Sequence, residues 1–216
     1  MFTRREEWSK LNTELLNIAL PHPQSAGKEY AAAKRICDVS GALVLLILSA
    51  PLLLLVSLLL KIDSPGPALF RQRRIGKNGK EFMLWKFRSM RTDAPRYASS
   101  PTSDRDWRLT RVGRLIRRVS IDELPQLINV LKGEMSLVGP RPEMPFLVDR
   151  YTETERERLT VKPGMTGLWQ VSPARAYPIH ENLQYDLHYI RHQNMVLDGA
   201  ILLRTIFAVI RGVGAV

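Results

Sequence analysis

An almost wholly apolar segment, residues 41–60, restricts what this 216-residue chain can fold into more than any other feature. Its twenty residues carry no charge, and a single proline, Pro51, lies near the middle. A helix of this length can cross the ~30 Å hydrocarbon core of a bilayer. A cleaved signal peptide is disfavoured, because the segment begins forty residues into the chain and is longer than the apolar core of such a signal. We therefore predict a membrane anchor over residues 31–61.

The residues on either side of this segment leave two membrane arrangements open. Lys34 and Arg35 precede it and Lys61 follows it, so the positive-inside rule assigns both ends to the cytoplasm. Pro51 removes a backbone donor and favours a kink, and Ser49 could satisfy a freed carbonyl group. The chain could then enter the bilayer, bend at Ser49 and Pro51, and leave by the same face. The alternative is an ordinary transmembrane helix that tolerates its proline.

The composition narrows the class of partner. Lysine and arginine number 32 against 21 aspartates and glutamates, which gives a formal net charge of +11. We therefore expect anionic partners, such as phospholipid headgroups, nucleotides, phosphates or nucleic acid. A membrane-tethered nucleic-acid-binding protein is disfavoured, because the sequence has no helix-turn-helix, zinc-finger or RNA-recognition pattern. The single cysteine, Cys37, excludes a disulfide framework within this sequence.

The rest of the chain is typical of a small, mostly helical α+β domain. Strand-like segments at 68–75 and 81–87 flank an Asn78-Gly79 pair, which predicts a β-hairpin. We divide the chain into an N-terminal extension, 1–30, the anchor, 31–61, and a domain over 62–216. The extension contains an amphipathic helical pattern over residues 6–20. The domain has further helical patterns over residues 106–119, 120–131, 143–159, 183–191 and 199–211.

Two adjacent carboxylates, Asp122 and Glu123, are the residues best suited to chemistry. They belong to the pattern Ser120-Ile121-Asp122-Glu123, which matches a capping box, and Pro125 falls in the first turn. By itself this pattern predicts only the start of a helix. A helix N-terminus near arginines also gathers phosphate, and a carboxylate there can bind Mg²⁺ or attack phosphorus.

Arg141 is the most distinctive of the many arginines. It lies between Pro140 and Pro142, and the two prolines stiffen the backbone around a guanidinium whose fork suits phosphate. The plainer interpretation is an exposed arginine in a turn before a helix. His188 and His192 are four residues apart on a predicted helix, but no third ligand has a telling spacing, so we expect no zinc site.

Several segments, taken in order, resemble the bacterial sugar transferase family, the small monotopic polyprenyl-phosphate phosphoglycosyl transferases that start exopolysaccharide and glycoconjugate assembly. The resemblance extends from about residue 31 to the end of the sequence, and its collinear segments make it specific. It favours the re-entrant helix-break-helix anchor, with the domain on the cytoplasmic face of the cytoplasmic membrane. The segments that carry it are Lys34–Asp38, Ser64–Pro67, Phe70–Gln72, Lys86–Met90, Asp122–Gly133, Met135–Pro142 and Pro163–Val171.

The resemblance implies that a phosphosugar moves from a UDP-sugar to undecaprenyl phosphate, with release of UMP. Asp122 would be the nucleophile that carries a covalent phosphosugar and would hold Mg²⁺ in part, and Glu123 would take the proton of the lipid phosphate. Membrane lipids are also implied partners, and nucleic acid is not. A homodimer through the apolar face of the last helix stays open. The implied substrate-binding residues are Arg71, Lys86, Arg88, Arg141 and Arg175.

The sequence departs from the family pattern in one loop. Many members continue the Gln170-Val171 pair with Asn-Gly-Arg, whereas this chain reads Ser172-Pro173-Ala174-Arg175. We expect Arg175 to fill the role of the family's arginine. The extra transmembrane helices of larger members are not found here, so a minimal, monofunctional form is expected. A membrane scaffold whose carboxylates only cap a helix is the remaining alternative, and the sequence does not identify the sugar.

Overall fold

The computed structural model describes residues 27–95, 101, 103, 105–172, 175 and 182–210. Within them helices predominate, and the strands form two small two-stranded sheets. The predicted mostly helical α+β class, with its β-hairpin, is confirmed. The amphipathic helix predicted over residues 6–20 lies outside the described residues.

Helix α1, Lys28–Asp63, contains the predicted anchor and runs through Pro51 as a single helical element. It is the one helix, in the part of the chain that the structure describes, that is long and apolar enough to cross a membrane. Apolar side chains along its middle are exposed; Leu48 and Leu54, for example, are 74% and 73% exposed. A helix that presents such side chains outward suits lipid better than water, so the structure indicates membrane association.

The predicted break at Ser49 and Pro51 is not a break in secondary structure, because α1 stays helical across it. A proline inside a helix removes one hydrogen bond, and the turns on either side can persist around it. The carbonyl group that loses its donor is that of Ile47, four residues before the proline. The Ser49 hydroxyl instead donates to the carbonyl oxygen of Leu45, at 2.6 Å. Ser49 therefore does not satisfy the freed carbonyl as predicted.

Both ends of α1 contact the same folded unit. Toward the N-terminal end, the Asp38 carboxylate accepts hydrogen bonds from the Ser136 hydroxyl, at 3.0 Å, and the Leu137 N–H, at 2.8 Å. At the C-terminal end, the Asp63 carboxylate accepts from the N–H of Val112, at 3.0 Å. The exposed apolar middle thus lies between two docked ends.

Strands β1, Leu69–Ile75, and β2, Glu81–Phe87, pair antiparallel. Asn78 and Gly79, in the connecting turn, both have left-handed backbones, with φ of 57° and 75°. Asn-Gly is the pair that adopts such a turn at least cost, which explains why the hairpin was predictable. Successive side chains on a strand point to opposite faces. The register of this hairpin therefore determines which of its basic residues lie on the same face.

The second sheet is short, buried and parallel. Strand β3, Ser136–Val138, pairs with β4, Gly164–Thr166. A Cβ at Gly164 would lie 2.1 Å from the backbone nitrogen of Gly139. Only glycine at position 164 therefore allows these two backbone segments to approach so closely. This contact fixes the turn that follows β3 and contains Arg141.

The remaining helices are α2, Arg111–Arg118, α3, Leu127–Lys132, α4, Pro145–Val148, α5, Glu153–Arg156, α6, Leu183–His192, and α7, Met195–Ile210. The single helix predicted over residues 143–159 is wrong: Thr152 begins a new helix there with a complete capping box. On α7, Ile201 is fully buried whereas Ile206 is 55% exposed. The predicted apolar face of this helix therefore packs in the core at Ile201 and lies on the surface at Ile206. The main core joins α1, β2, α3, β3 and α7 through Ala42, Leu84, Leu127, Val138 and Ile201.

Candidate active site

Asp122 and Glu123 lie in a 3₁₀ helix, Ile121–Gln126, that leads directly into α3. Ser120 precedes it with a left-handed backbone, φ 56° and ψ 18°, and its side chain makes no capping hydrogen bond. The predicted capping box is therefore wrong. A left-handed backbone is uncommon for residues other than glycine, so the surrounding contacts must hold this turn. The turn directs the two carboxylates toward basic side chains from other parts of the chain.

Glu123 is bound by two of the predicted substrate-binding residues. Its Oε1 atom accepts from Nζ of Lys86, at 3.2 Å, and from Nη2 of Arg141, at 2.9 Å. Burial alone would raise the pKa of Glu123, but the charges of Arg141 and Lys86 lower it below its usual range. Burial lowers the pKa of Lys86, whose carboxylate partner is shared with Arg141. Three separated segments therefore meet at one carboxylate.

Asp122 has a different environment from its neighbour. It is 6% exposed, and within the described residues no group donates a hydrogen bond to its carboxylate. Burial and the negative charge of Glu123 raise the pKa of Asp122 to about 6, against the opposing charges of Lys86, Arg117 and Arg141. The charge of Glu123 is balanced by two cations, whereas Asp122 accepts no hydrogen bond from the described residues. A buried carboxylate in that position is suited to bind or react with a ligand.

Further cations surround the pair. Burial and the charge of Arg141 lower the pKa of Arg74 to about 10, and Nη1 of Arg74 donates to the carbonyl oxygen of Pro142, at 3.2 Å. The pKa of Arg175 is also lowered, by burial and by the charge of Arg141. The negative charges of Glu123 and Asp122 oppose this shift in part. Arg175 thus lies within electrostatic reach of both carboxylates, and its predicted role in binding substrate stays a prediction.

Sequence reasoning did not single out Arg74 or Arg117 as site residues. The hairpin alternation could have found Arg74: Lys86 pairs with Phe70, and Arg74, four residues further along β1, shares that face. The nearness of Arg117 to Asp122 has no local signal, because it depends on how α2 packs against the 3₁₀ helix.

Two of the predicted substrate-binding residues lie elsewhere. Arg71 is opposite Trp85, on the other face of the hairpin from Lys86, and its guanidinium lies 5.1 Å from the centre of the Trp85 indole. Arg88 is buried against the end of α1. Its two terminal nitrogens donate to the carbonyl oxygens of Pro65, Ser64 and Leu60, at 2.5, 2.8 and 3.3 Å. Arg88 therefore connects the end of the anchor helix to the hairpin.

Arg88→Gln should destabilise the protein. The change removes several charge-assisted hydrogen bonds from a buried guanidinium to the carbonyl oxygens at the end of α1, so we expect the free energy of unfolding to fall by about 2–4 kcal/mol. Thermal unfolding in detergent measures this, with the exposed neighbour Arg91→Gln as the control. Equal stability of the two variants would contradict the role of Arg88 at the end of α1.

The carboxylate pair also fits a magnesium ion. Mg²⁺ prefers oxygen ligands, keeps several waters, and is commonly bound by one or two carboxylates together with substrate phosphates. No cluster of three or more acidic, histidine or cysteine ligands is found in the described segments, so a cage made of protein alone does not occur there. The Asp122 carboxylate, which accepts no hydrogen bond from the described residues, and Oε2 of Glu123 are the atoms that could bind a partly hydrated ion.

Comparison with known proteins gives a consistent family. The family model described as bacterial sugar transferase matches residues 29–212. A UDP-N-acetylgalactosamine-undecaprenyl-phosphate N-acetylgalactosaminephosphotransferase of Aeromonas hydrophila is 38% identical over 99% of this chain and 51% of its own. A UDP-glucose:undecaprenyl-phosphate glucose-1-phosphate transferase of Caulobacter vibrioides is 45% identical over 80% of this chain and 68% of its own.

A third relative is nearer to this chain in length. The exopolysaccharide production protein PSS of Rhizobium leguminosarum bv. phaseoli is 41% identical over 80% of this chain and 92% of its own. By contrast, this chain spans about half the length, or less, of several of the relatives it matches. The shared region includes the anchor helix, the hairpin and the carboxylate pair.

Proposed function

This chain belongs to the bacterial sugar transferase family, and from that premise we propose that it transfers a sugar 1-phosphate from a UDP-sugar to undecaprenyl phosphate, releasing UMP and initiating exopolysaccharide or glycoconjugate assembly. One observation carries the proposal: Asp122 is buried, accepts no hydrogen bond from the residues that the structure describes, and lies beside Glu123, which Lys86 and Arg141 bind. Phosphoryl transfer requires positioning and neutralisation of charge more than elaborate covalent machinery, and this arrangement supplies both.

In the first step, a carboxylate oxygen of Asp122 attacks the β-phosphorus of the UDP-sugar. A new oxygen–phosphorus bond forms as the bond to the α-phosphate oxygen breaks, and UMP leaves with that oxygen. Lys86, Arg141 and Arg175 hold the diphosphate and offset its charge. Asp122 remains mostly ionised at neutral pH, because its raised pKa is about 6. Mg²⁺ held partly by Asp122 would neutralise charge on the diphosphate and on the departing UMP.

In the second step, an oxygen of the lipid phosphate attacks the same phosphorus, and the Asp122 oxygen leaves as a carboxylate. Glu123 accepts the proton of the lipid phosphate. In the ligand-free arrangement the charges of Arg141 and Lys86 lower the pKa of Glu123, which makes it a weak base. Substrate phosphates compete for the same two cations, so substrate binding raises the basicity of Glu123.

The two docked ends of α1 support a particular membrane placement. We propose that the anchor, residues 31–61, enters the bilayer and returns to the same face. In support, Asp38 near one end and Asp63 at the other both bind the same folded domain. The domain over residues 62–216 then lies on the cytoplasmic face, where a soluble nucleotide sugar and a lipid phosphate can both reach it. The predicted extension, residues 1–30, has no role in this proposal, and its last residues, 28–30, belong to α1.

Cysteine labelling should show both ends of the anchor on the cytoplasmic side. Cys37 is exposed before the apolar segment, and Lys61→Cys in a Cys37→Ser background samples the exposed far end. A membrane-impermeant maleimide should label both in inside-out vesicles and neither in right-side-out vesicles. Labelling of the two positions from opposite sides would establish an ordinary transmembrane helix.

The reaction is tested by UMP release from a panel of UDP-sugars, with the purified full chain, undecaprenyl phosphate and Mg²⁺. We expect continuous release with one donor or a few related donors. Without undecaprenyl phosphate, release should stop after about one UMP for each protein molecule, because only the first step can proceed. Absence of UMP with every donor, from folded protein in a lipid mimic, would overturn the proposal.

A further inference from the structure

A cleft at the turn end of the hairpin has no part in the proposed chemistry. It has a volume of about 330 Å³ and is lined by the hairpin turn, by Lys132–Glu134 at the end of α3, and by Lys162. Phe82 also lines it and lies four residues before Lys86 on β2, roughly 13 Å away along the strand. The cleft is therefore separate from the carboxylate pair. Its lining contains the lysines Lys77, Lys80, Lys132 and Lys162.

The two carboxylates of this cleft offset only part of the charge of its four lysines. Of its two carboxylates, Glu81 lies 3.9 Å from Arg73, and Glu134 accepts a hydrogen bond from Asn129, at 2.6 Å. Among the described residues, Lys77, Lys80 and Lys162 form no ion pair. Unpaired lysines that line a concavity raise the local concentration of anions.

Two cations from different segments, Arg35 and Lys162, converge at Gly133, which lines the cleft. A Cβ at Gly133 would lie 3.5 Å from Nζ of Lys162 and 3.6 Å from Nη2 of Arg35. Arg35 is held by the carbonyl oxygens of Val130 and Leu131, at 2.7 and 2.8 Å. Lys162 has no such partner in the described chain, and burial and the charge of Arg35 lower its pKa. A bound anion would relieve this repulsion.

The position of the cleft along the anchor selects the kind of anion. Arg35 lies six residues before Gly41, where the apolar segment begins, which is about 9 Å along a helix. With α1 in the membrane, Gly133 and Lys162 therefore lie near the depth of the lipid headgroups. Clustered lysines at this depth are the feature that attracts anionic lipids.

We propose that this cleft binds the phosphate group of an anionic membrane lipid. The bound lipid is a second attachment of the folded domain to the membrane, on the opposite end of the hairpin from Arg88. The inference depends on the membrane placement proposed above and not on the transferase chemistry. The same cations would bind a soluble phosphate, so the experiment must separate the two sources.

Native mass spectrometry of the full chain in neutral detergent tests the inference, with phosphatidylglycerol and phosphatidylcholine as the two added lipids. We expect a strong preference for phosphatidylglycerol, and Lys77→Gln together with Lys162→Gln should weaken its binding about twenty-five-fold, since each lysine contributes on the order of fivefold. Arg150→Gln with Arg156→Gln is the matched control. It removes the same charge from exposed side chains outside the cleft and should bind as the parent does.

Three results would overturn the inference: equal lipid binding by the lysine variant, no preference for the anionic lipid, or displacement of the lipid by millimolar inorganic phosphate or UMP. The last would assign the cleft to a soluble phosphate. Thermal unfolding of both double variants checks that each is folded. Because the readout is lipid binding, a chain that binds lipid but releases no UMP would refute the transferase and leave this inference standing.

Discussion

Asp122→Asn is expected to reduce UMP release by about four orders of magnitude or more. Asparagine has nearly the same shape as aspartate, but its amide oxygen cannot form the covalent phosphosugar. The measurement is UMP release with the donor that the parent chain uses. In the absence of lipid acceptor, the parent should also gain the mass of one phosphosugar and the variant should not. Turnover that survives in Asp122→Asn would exclude Asp122 as the nucleophile.

The same variant should be more stable than the parent at pH 7 to 8. The pKa of Asp122 is raised to about 6 in the folded chain, against about 3.9 in an unfolded one. A carboxyl group that binds its proton more tightly when folded stabilises the native state at low pH. That stability is lost as the pH rises from about 4 through 6. Asparagine carries no charge and avoids this cost, so the melting temperature should rise.

The comparison for stability is Asp149→Asn, an exposed carboxylate outside the site, which should leave both activity and melting temperature near those of the parent. A loss of activity accompanied by a lower melting temperature in Asp122→Asn would attribute the loss to unfolding. The paired result, an inactive but more stable protein, is the one that a nucleophile in an unfavourable environment predicts.

Arg141→Gln should lower kcat/KM for the UDP-sugar by about 10²–10³. Arg141 lies at the carboxylate pair, where its guanidinium can hold a phosphate and offset the charge that develops in the transition state. Arg71→Gln is the matched control, because Arg71 is on the opposite face of the hairpin and should have a small effect. An Arg71→Gln defect as large as that of Arg141→Gln would contradict the arrangement of the site.

The pH profile of Arg141→Gln gives a second readout. Below about pH 6 the parent should lose kcat/KM as Asp122 becomes protonated. The charge of Arg141 lowers the pKa of Asp122, so its removal should move this acidic limb to higher pH. Arg141→Lys keeps the positive charge but loses the two-pronged geometry of the guanidinium. Its activity should be reduced, and the acidic limb of its pH profile should stay at the same pH as in the parent. An unmoved limb in the glutamine variant would show that Arg141 does not act on Asp122.

Much of this molecule could be predicted from short-range rules. The apolar segment predicts an anchor, and the Asn78-Gly79 pair predicts the hairpin turn, because each depends on properties of adjacent residues. The capping box at Ser120 was wrong for the opposite reason. Lys86 and Arg141 come from distant segments and bind Glu123, and these long-range ion pairs prevail over a local cap.

The arginines show the same limit. Arg88, two residues after Lys86, and Arg141, between two prolines, were both predicted to bind substrate, yet one binds the carbonyl groups at the end of α1 and the other binds a carboxylate. The residues adjacent to each arginine do not identify these partners, which come from other segments of the chain. Strand register, by contrast, could have placed Arg71 away from Lys86, because the pairing that follows from the Asn78-Gly79 turn determines the face of each side chain.

Arg88 and Lys86 are two residues apart at the end of the hairpin, roughly 7 Å along the chain. One binds the end of the membrane helix and the other binds Glu123. In the reaction proposed above, the depth of the anchor in the bilayer would therefore be transmitted to the carboxylate pair through a short, stiff connection. The thickness of the surrounding bilayer, set by the length of its acyl chains, would then determine whether the carboxylates meet a lipid phosphate at the correct height.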